Sequence, residues 1–220
     1  LQVAEGHSYA YDAAGFVVER DGKVFEWDAM GRIARIGENP FAWDSLGRPV
    51  AKTVSGTETR YLFGGAVEAD ANGSPTALDL GEGRIDLVTG GHLYRHLDFR
   101  HNVQFVTDEA GEVVQAYTYT AYGVADAYDT GADDRTFIQG QKLGDLILIG
   151  ERLYDPAVGR FLSQDPVYQV SNQYSYAEGD PIHYADPDGR FLRKLVEFLG
   201  DLFGGGGAGD GGDGDDGGGG

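Results

Sequence analysis

The feature that most constrains the fold of this chain is a spacing. Tyr9-Ala-Tyr11-Asp12-Ala-Ala-Gly15, Phe25-Glu-Trp27-Asp28-Ala-Met-Gly31 and Phe41-Ala-Trp43-Asp44-Ser-Leu-Gly47 repeat one pattern, aromatic-x-aromatic-Asp-x-x-Gly, with the aspartates 16 residues apart. In a strand, residues i and i+2 point to the same face, so each aromatic pair can stack on the next hairpin. The aspartate opens a turn through its own side chain, and the glycine supplies a positive φ. A second short strand follows, such as Phe16-Val17-Val18 or Arg32-Ile33-Ala34. Each unit therefore reads as a β-hairpin that cannot bury its aromatic face alone, so neighbours must stack. The expected fold is all-β: antiparallel hairpins stacked in a curved or spiral repeat sheet, with Phe25, Trp27, Phe41 and Trp43 at its centre. Tyr61-Leu-Phe63-Gly64-Gly65 reads as one more hairpin edge, and the remainder of 61–92 is less regular.

Composition excludes several functions. A chain of 220 residues buries roughly two-thirds to three-quarters of its unfolded surface and needs no covalent staples. Cysteine is absent, which removes disulfides and thiolate metal sites. The formal net charge of -19 argues against nucleic acid and against anionic lipid as partners. No apolar run approaches the roughly 18 residues of a membrane span, and Leu1 to Ala10 lacks the basic-then-apolar order of a signal peptide. The chain opens on Leu1 rather than methionine and is expected to be a piece of a longer protein.

The three strict repeats resemble the YD repeats of the RHS and YD-repeat proteins. From Leu93 the vocabulary changes. Tyr94-x-His96-x-Asp98, Val103-x-x-Val106-Thr107-Asp108-x-x-Gly111 and Tyr117-x-Tyr119-x-x-Tyr122-Gly123 come first, followed by Arg152-Leu-Tyr154-Asp155-Pro156-x-x-Gly159-Arg160-Phe161-Leu162-Ser163-x-Asp165-Pro166. Asn172-x-Tyr174-x-Tyr176 and Asp186-Pro187-Asp188-Gly189 complete the series, which resembles the RHS repeat-associated core domain. The expected organisation is YD-repeat hairpins over 1–92, a core domain over 93–189, an amphipathic helix over 190–203 and a disordered Gly/Asp tail over 204–220.

Four of the seven prolines follow aspartate: Asp155-Pro156, Asp165-Pro166, Asp180-Pro181 and Asp186-Pro187. Asp-Pro is a turn initiator, and that explains the clustering on physical grounds alone. Chemistry would require two carboxylates close enough to share a proton, so that one activates water while the other polarises a peptide carbonyl. The resemblance implies such a site, because RHS core domains are similar to self-cleaving aspartic peptidases that cut just after a terminal Asp-Pro-x-Gly-Leu and release an enclosed toxin. Carried over residue by residue, Asp165 is the first catalytic candidate and Asp155 the second. Arg152 is the cation that orients or charges them, and Asp186, Pro187, Gly189 and Arg190 form the cleavage motif. The sequence departs from the family pattern in three places: Val167-Tyr168 follow Asp165-Pro166, Arg190 stands where leucine is expected, and these 220 residues include no toxin domain after the motif.

The implied function is the carboxy-terminal shell segment of a secreted or cell-surface bacterial protein of the polymorphic-toxin type. Its implied partners are a C-terminal toxin or cargo absent from this chain, and secretion-system or cell-surface components. The alternative is a non-catalytic repeat scaffold or a surface module binding glycans or proteins. No cofactor or metal is expected: His92, His96 and His101 lack a His-Glu-x-x-His pattern, and Gly64-Gly65 and Gly90-Gly91 lack the Lys-Ser/Thr of a phosphate loop. Positions 191, 195, 198 and 202, with 192, 196, 199 and 203 beside them, form an apolar stripe expected to pack as a short helix on the β core. Residues 204–220 hold 12 of the 36 glycines and have no apolar residue beyond one alanine, so a packed calcium-binding roll is not expected.

Overall fold

A computed structural model describes residues 2–165, 172–186 and 193–194. Fifteen strands, from β1 (Gln2–Ala4) to β15 (Ala125–Asp129), form one sheet in which every strand pairs antiparallel with its neighbours in the chain. The expected hairpin stack is therefore observed. Its turns are built as the repeat implied. Asp12 Oδ1 accepts the N–H groups of Ala14 and Phe16, Asp28 Oδ1 those of Met30 and Arg32, and Asp44 Oδ1 those of Leu46 and Arg48. The N–H of Gly15, Gly31 or Gly47 donates back to the carbonyl of the same aspartate. Each turn thus satisfies its own backbone. The sheet register slips by one residue in each repeat, at Ala10/Tyr11, Glu26/Trp27 and Ala42/Trp43. Such bulges bend and twist a strand, which curls the sheet.

The same turn recurs beyond the strict repeat. Asp70, Asp98 and Asp108 each accept the i+2 and i+4 N–H groups, and Thr120 keeps the same backbone bonds with its hydroxyl in place of the carboxylate. The sheet runs unbroken through 92–93, and the change of architecture comes after Asp129.

A second sheet follows, of β16 (Gln141–Leu143), β17 (Leu146–Ile149), β18 (Arg152–Asp155) and β19 (Arg160–Phe161), all antiparallel. Every residue of β17 and β18 is buried, because this sheet is covered on both faces. On one face Leu146, Leu148, Leu153 and Leu162 pack against Tyr9, Val17, Phe25, Ile33, Ile36 and Phe41 of the long sheet. On the other, Ile147, Ile149, Tyr154 and Phe161 pack with Phe137, Ile138, Tyr176 and Ala185.

Polar links tie the long sheet to the short one and to the segment 130–140 that leads into it. Arg20 pairs with Asp155 and Asp145, Lys52 with Asp134 at 2.8 Å, and Arg95 with Asp133 at 2.6 Å. The Gln141 amide donates to the Tyr61 hydroxyl at 2.8 Å. These partners come from early, middle and late strands of the long sheet. Laid flat, those strands would spread over about 43 Å, whereas four strands span about 15 Å. The long sheet must therefore curl around the short one.

Two expectations need adjustment. Phe25 and Phe41 are buried, but Trp27 and Trp43 are only half-buried, at the margin of the core. Their indole N–H groups reach back to the preceding hairpin, Trp27 to the Val17 carbonyl and Trp43 to the Ile33 carbonyl, both at 2.7 Å. A ring tied to a polar atom at the sheet surface cannot sit as deep as phenylalanine. Most of the segment expected to be helical lies outside the described residues, as does the 204–220 tail. Within that segment Arg193–Lys194 form a strand paired with Tyr184–Ala185, so at those two positions a backbone ladder replaces the helix. A 13-residue amphipathic stretch is marginal as an isolated helix, and strand pairing competes with it.

Candidate active site

Alternation along β18 decides where the candidate residues go. Successive side chains of a strand point to opposite faces. Leu153 and Asp155 face the long sheet, whereas Arg152 and Tyr154 face the second core. The three-residue separation of Arg152 and Asp155 therefore places them on opposite sides.

Asp155 is fully buried in a link between the sheets. Its Oδ2 lies 2.7 Å from Arg20 Nε and accepts the Tyr9 hydroxyl at 2.7 Å, and its Oδ1 accepts the N–H of Ala157 at 3.0 Å. Burial is the main influence that pushes the Tyr9 phenol far above its ordinary value, and the Asp155 charge adds to it. Tyr9 is thereby kept as a donor.

Arg152, 2% exposed, forms the other centre. Its Nη2 donates to Asp186 Oδ2 at 2.7 Å, and its guanidinium lies over the Phe161 ring at 3.5 Å from the centroid. Burial pulls this guanidinium below its ordinary value, although the charges of Asp186, Asp165 and Glu151 act in the opposite sense. Asp165 and Asp186 are 5% and 4% exposed. The structure thus brings Arg152, Asp165 and Asp186 into one buried electrostatic cluster and leaves Asp155 on the far side of β18. Pro187, Gly189 and Arg190 lie outside the described residues.

The chain after β19 is laid down by backbone bonds. The N–H of Phe161 donates to the Tyr174 carbonyl at 3.0 Å and that of Asp165 to the Gln173 carbonyl at 2.9 Å. Leu162 and Gln164 turn to the long sheet, where Leu162 joins the core and the Gln164 amide donates to the Ala14 carbonyl at 2.8 Å. Phe161, Ser163 and Asp165 fall on the Arg152 side by the same alternation. Tyr176, 1% exposed, sits against this cluster with Tyr154 and Phe161. Burial and then the Asp186 charge push its phenol well above the ordinary range, so it too is a neutral donor. Arg100 supports the approach to Asp186, with Nη1 donating to the Pro181 carbonyl at 3.4 Å.

Sequence reasoning selected Arg152 and Asp165 and gave Asp186 to the cleavage motif alone. It missed Ser163 and Tyr176 as neighbours of the cluster. The alternation of residues 161 to 165 was the available signal for Ser163; nothing local announces Tyr176. Among the described residues no group of three or more His, Asp or Glu side chains could hold a metal ion, and no helix is long and apolar enough to cross a membrane.

No family model matches the chain. In sequence it is 41% identical over 96 residues to double-stranded DNA deaminase toxin A of Burkholderia cenocepacia, covering 39% of this chain and 7% of that protein. It is 28% identical over 168 residues to the tRNA nuclease WapA of Bacillus subtilis, covering 67% of this chain and 7% of that protein. Salivary gland surface protein 1 of Aedes aegypti is 34% identical over 106 residues, covering 46% of this chain and 3% of that protein. The chain therefore spans less than a tenth of the length of these relatives. In structure it matches the crystallised TcdB2-TccC3 with a TM-score of 0.66 at 18% identity, over 81% of this chain and 11% of that one. The Photorhabdus luminescens Tc holotoxin pore gives 0.63 at 17%, over 81% and 10%. The chain thus shares the fold of an RHS-repeat Tc toxin component and is similar in sequence to segments of nuclease and deaminase toxins.

Proposed function

We propose that the chain is the carboxy-terminal shell segment of an RHS-type toxin protein, and that Arg152, Asp165 and Asp186 form a self-cleaving aspartic peptidase site. The observation that carries this reading is the contact of Asp186 with Arg152. It brings the aspartate of Asp186-Pro187-Asp188-Gly189 to the buried cation that also feels Asp165. The proposed reaction requires one proton held between the carboxyl groups of Asp165 and Asp186 beside this guanidinium.

In the proposed reaction Arg152 keeps Asp186 ionised. Asp186 takes a proton from water as the water oxygen bonds to the scissile carbonyl carbon, and protonated Asp165 gives its proton to the carbonyl oxygen. Collapse breaks the C–N bond, returns a proton to Asp165 and protonates the leaving amine. Tyr154, Phe161 and Tyr176 keep bulk water away from the pair. The curled sheet is the wall that encloses a C-terminal cargo. The whole protein is secreted or displayed at the cell surface, where secretion or surface components are its partners.

Intact mass of the purified wild-type chain beside Asp165→Ala tests the reading. The wild type should yield a product ending near residue 190, cut after Gly189 or beside Phe191-Leu192, and Asp165→Ala should remain whole. A wild-type chain that also remains whole leaves the passive scaffold as the better description.

A further inference from the structure

Ser163 is 0% exposed, and its Oγ finds no protein hydrogen-bond partner among the described residues. A buried hydroxyl left in this condition is costly, because it has given up water without gaining a partner. The usual remedy is an ordered water that bridges it to other polar groups, typically with about three hydrogen bonds.

Its position says what else such a water would meet. Tyr154 pairs with Phe161 across β18 and β19, and the N–H of Leu162 donates to the Leu153 carbonyl at 2.8 Å. One further step of this register sets Ser163 opposite Arg152, on the same face. Directly opposed residues have Cβ atoms about 4.5–5.5 Å apart. Asp165 is two residues further on, and its charge reaches Arg152. Leu162 and Gln164 occupy the opposite side with their contacts to the long sheet, so Ser163 cannot turn to solvent there.

We infer that Ser163 is a positioning residue whose hydroxyl, together with the Asp165 carboxyl, holds the water that attacks the scissile peptide. This rests on the self-cleavage reading above. Ser163 forms and breaks no covalent bond. It fixes the water oxygen on the line to the carbonyl carbon, while the protons move between water, Asp186, Asp165, the carbonyl oxygen and the leaving amine as already described. The arrangement explains why a polar side chain stands among Phe161, Leu162 and Tyr154 in a place that alanine would fill.

The test compares rates of self-cleavage by intact mass, from a time course of cell-free synthesis, for wild type, Ser163→Ala and Ser163→Thr. Ser163→Ala should be slower on the order of 100-fold, the loss expected when a reacting group is misplaced. Ser163→Thr, which keeps the hydroxyl, should recover most of the rate. A crystal structure of uncut Asp165→Asn, with Ser163 intact, should show an ordered water about 2.6–3.2 Å from Ser163 Oγ. This second measurement stands even if Ser163→Ala does not fold. Cleavage of Ser163→Ala at the wild-type rate, or a Ser163 Oγ bonded only to protein, overturns the inference and leaves the cleavage reading intact. A wild-type chain that never cuts removes both.

Discussion

The long sheet and the short sheet it curls around are stabilised in different ways. In the long sheet each of the three strict repeats carries its own solution: an aspartate that bonds two N–H groups of its turn, a glycine that closes it, and an aromatic that packs inward. Stability is spread along the chain, as in repeat proteins generally. In the short sheet each residue is used once. Arg152, Tyr154 and Asp155 are consecutive or nearly so, yet one meets Asp186, one joins an aromatic cluster and one ties down the long sheet. A repeated unit tolerates the loss of one copy, and a singular one does not.

The largest effect should therefore come from the short sheet. Tyr154 is fully buried against Phe137, Phe161 and Tyr176. Tyr154→Ala should cost about 3–5 kcal/mol in urea unfolding. A loss below about 1 kcal/mol would mean that the second core is not cooperative.

Asp155→Ala removes the carboxylate between Arg20 and Tyr9. Breaking a buried pair costs about 3–5 kcal/mol, and the lower end applies because Arg20 keeps Asp145. If Asp155→Ala is neutral, the seam between the sheets is not held as described.

The seam should also respond to acid. Burial alone would raise Asp145, but bonds and charges from Arg20 and Lys23 hold it below the ordinary carboxylate value, and within the long sheet Arg95, with Arg135 of the segment that follows it, does the same for the half-buried Asp79. Depressed carboxylates contribute stability that is complete above their unfolded pKa of about 4 and is lost as pH falls through the lower folded values. The melting temperature should be level from pH 5 to 7 and fall below about pH 4. A melting temperature held to pH 2 would contradict the ion-pair seam.

Within the repeats the effects are smaller. Trp43→Ala should cost about 2 kcal/mol, less than a fully buried ring, since the side chain is half-buried and makes one hydrogen bond. Gly31 has φ of 78° and would set a Cβ 3.1 Å from the Phe16 ring, so Gly31→Ala should cost about 1–2 kcal/mol. Should either exceed Tyr154→Ala, the contrast between the two sheets is inverted.

The same contrast sets how much could be read from sequence. The hairpins were legible at Asp12, Asp28 and Asp44 because their turn chemistry is local and evenly spaced. Asp70, Asp98 and Asp108 make the same bonds at uneven spacing, and His101 takes the glycine position with φ of 64°, so periodicity did not reveal them. The Leu146-Ile-Leu-Ile149 run is the signature of a strand covered on both faces, and it passed unremarked beside the louder motifs. At the site, Arg152 and Asp165 were legible through the family string. The separation of Asp155 from them follows from strand alternation alone. The meeting of Arg152 with Asp186, 34 residues later, depends on the tertiary path and has no local signal.

The central claim is that one face of β18 carries chemistry and the other carries structure. It is tested most directly by following, with intact mass, the appearance of the product ending near residue 190 in Asp165→Asn and Asp155→Asn beside the wild type. The account predicts that the wild type and a folded Asp155→Asn are both cut, whereas Asp165→Asn stays whole with its fold intact. Cleavage that survives Asp165→Asn but is lost in a folded Asp155→Asn would contradict it.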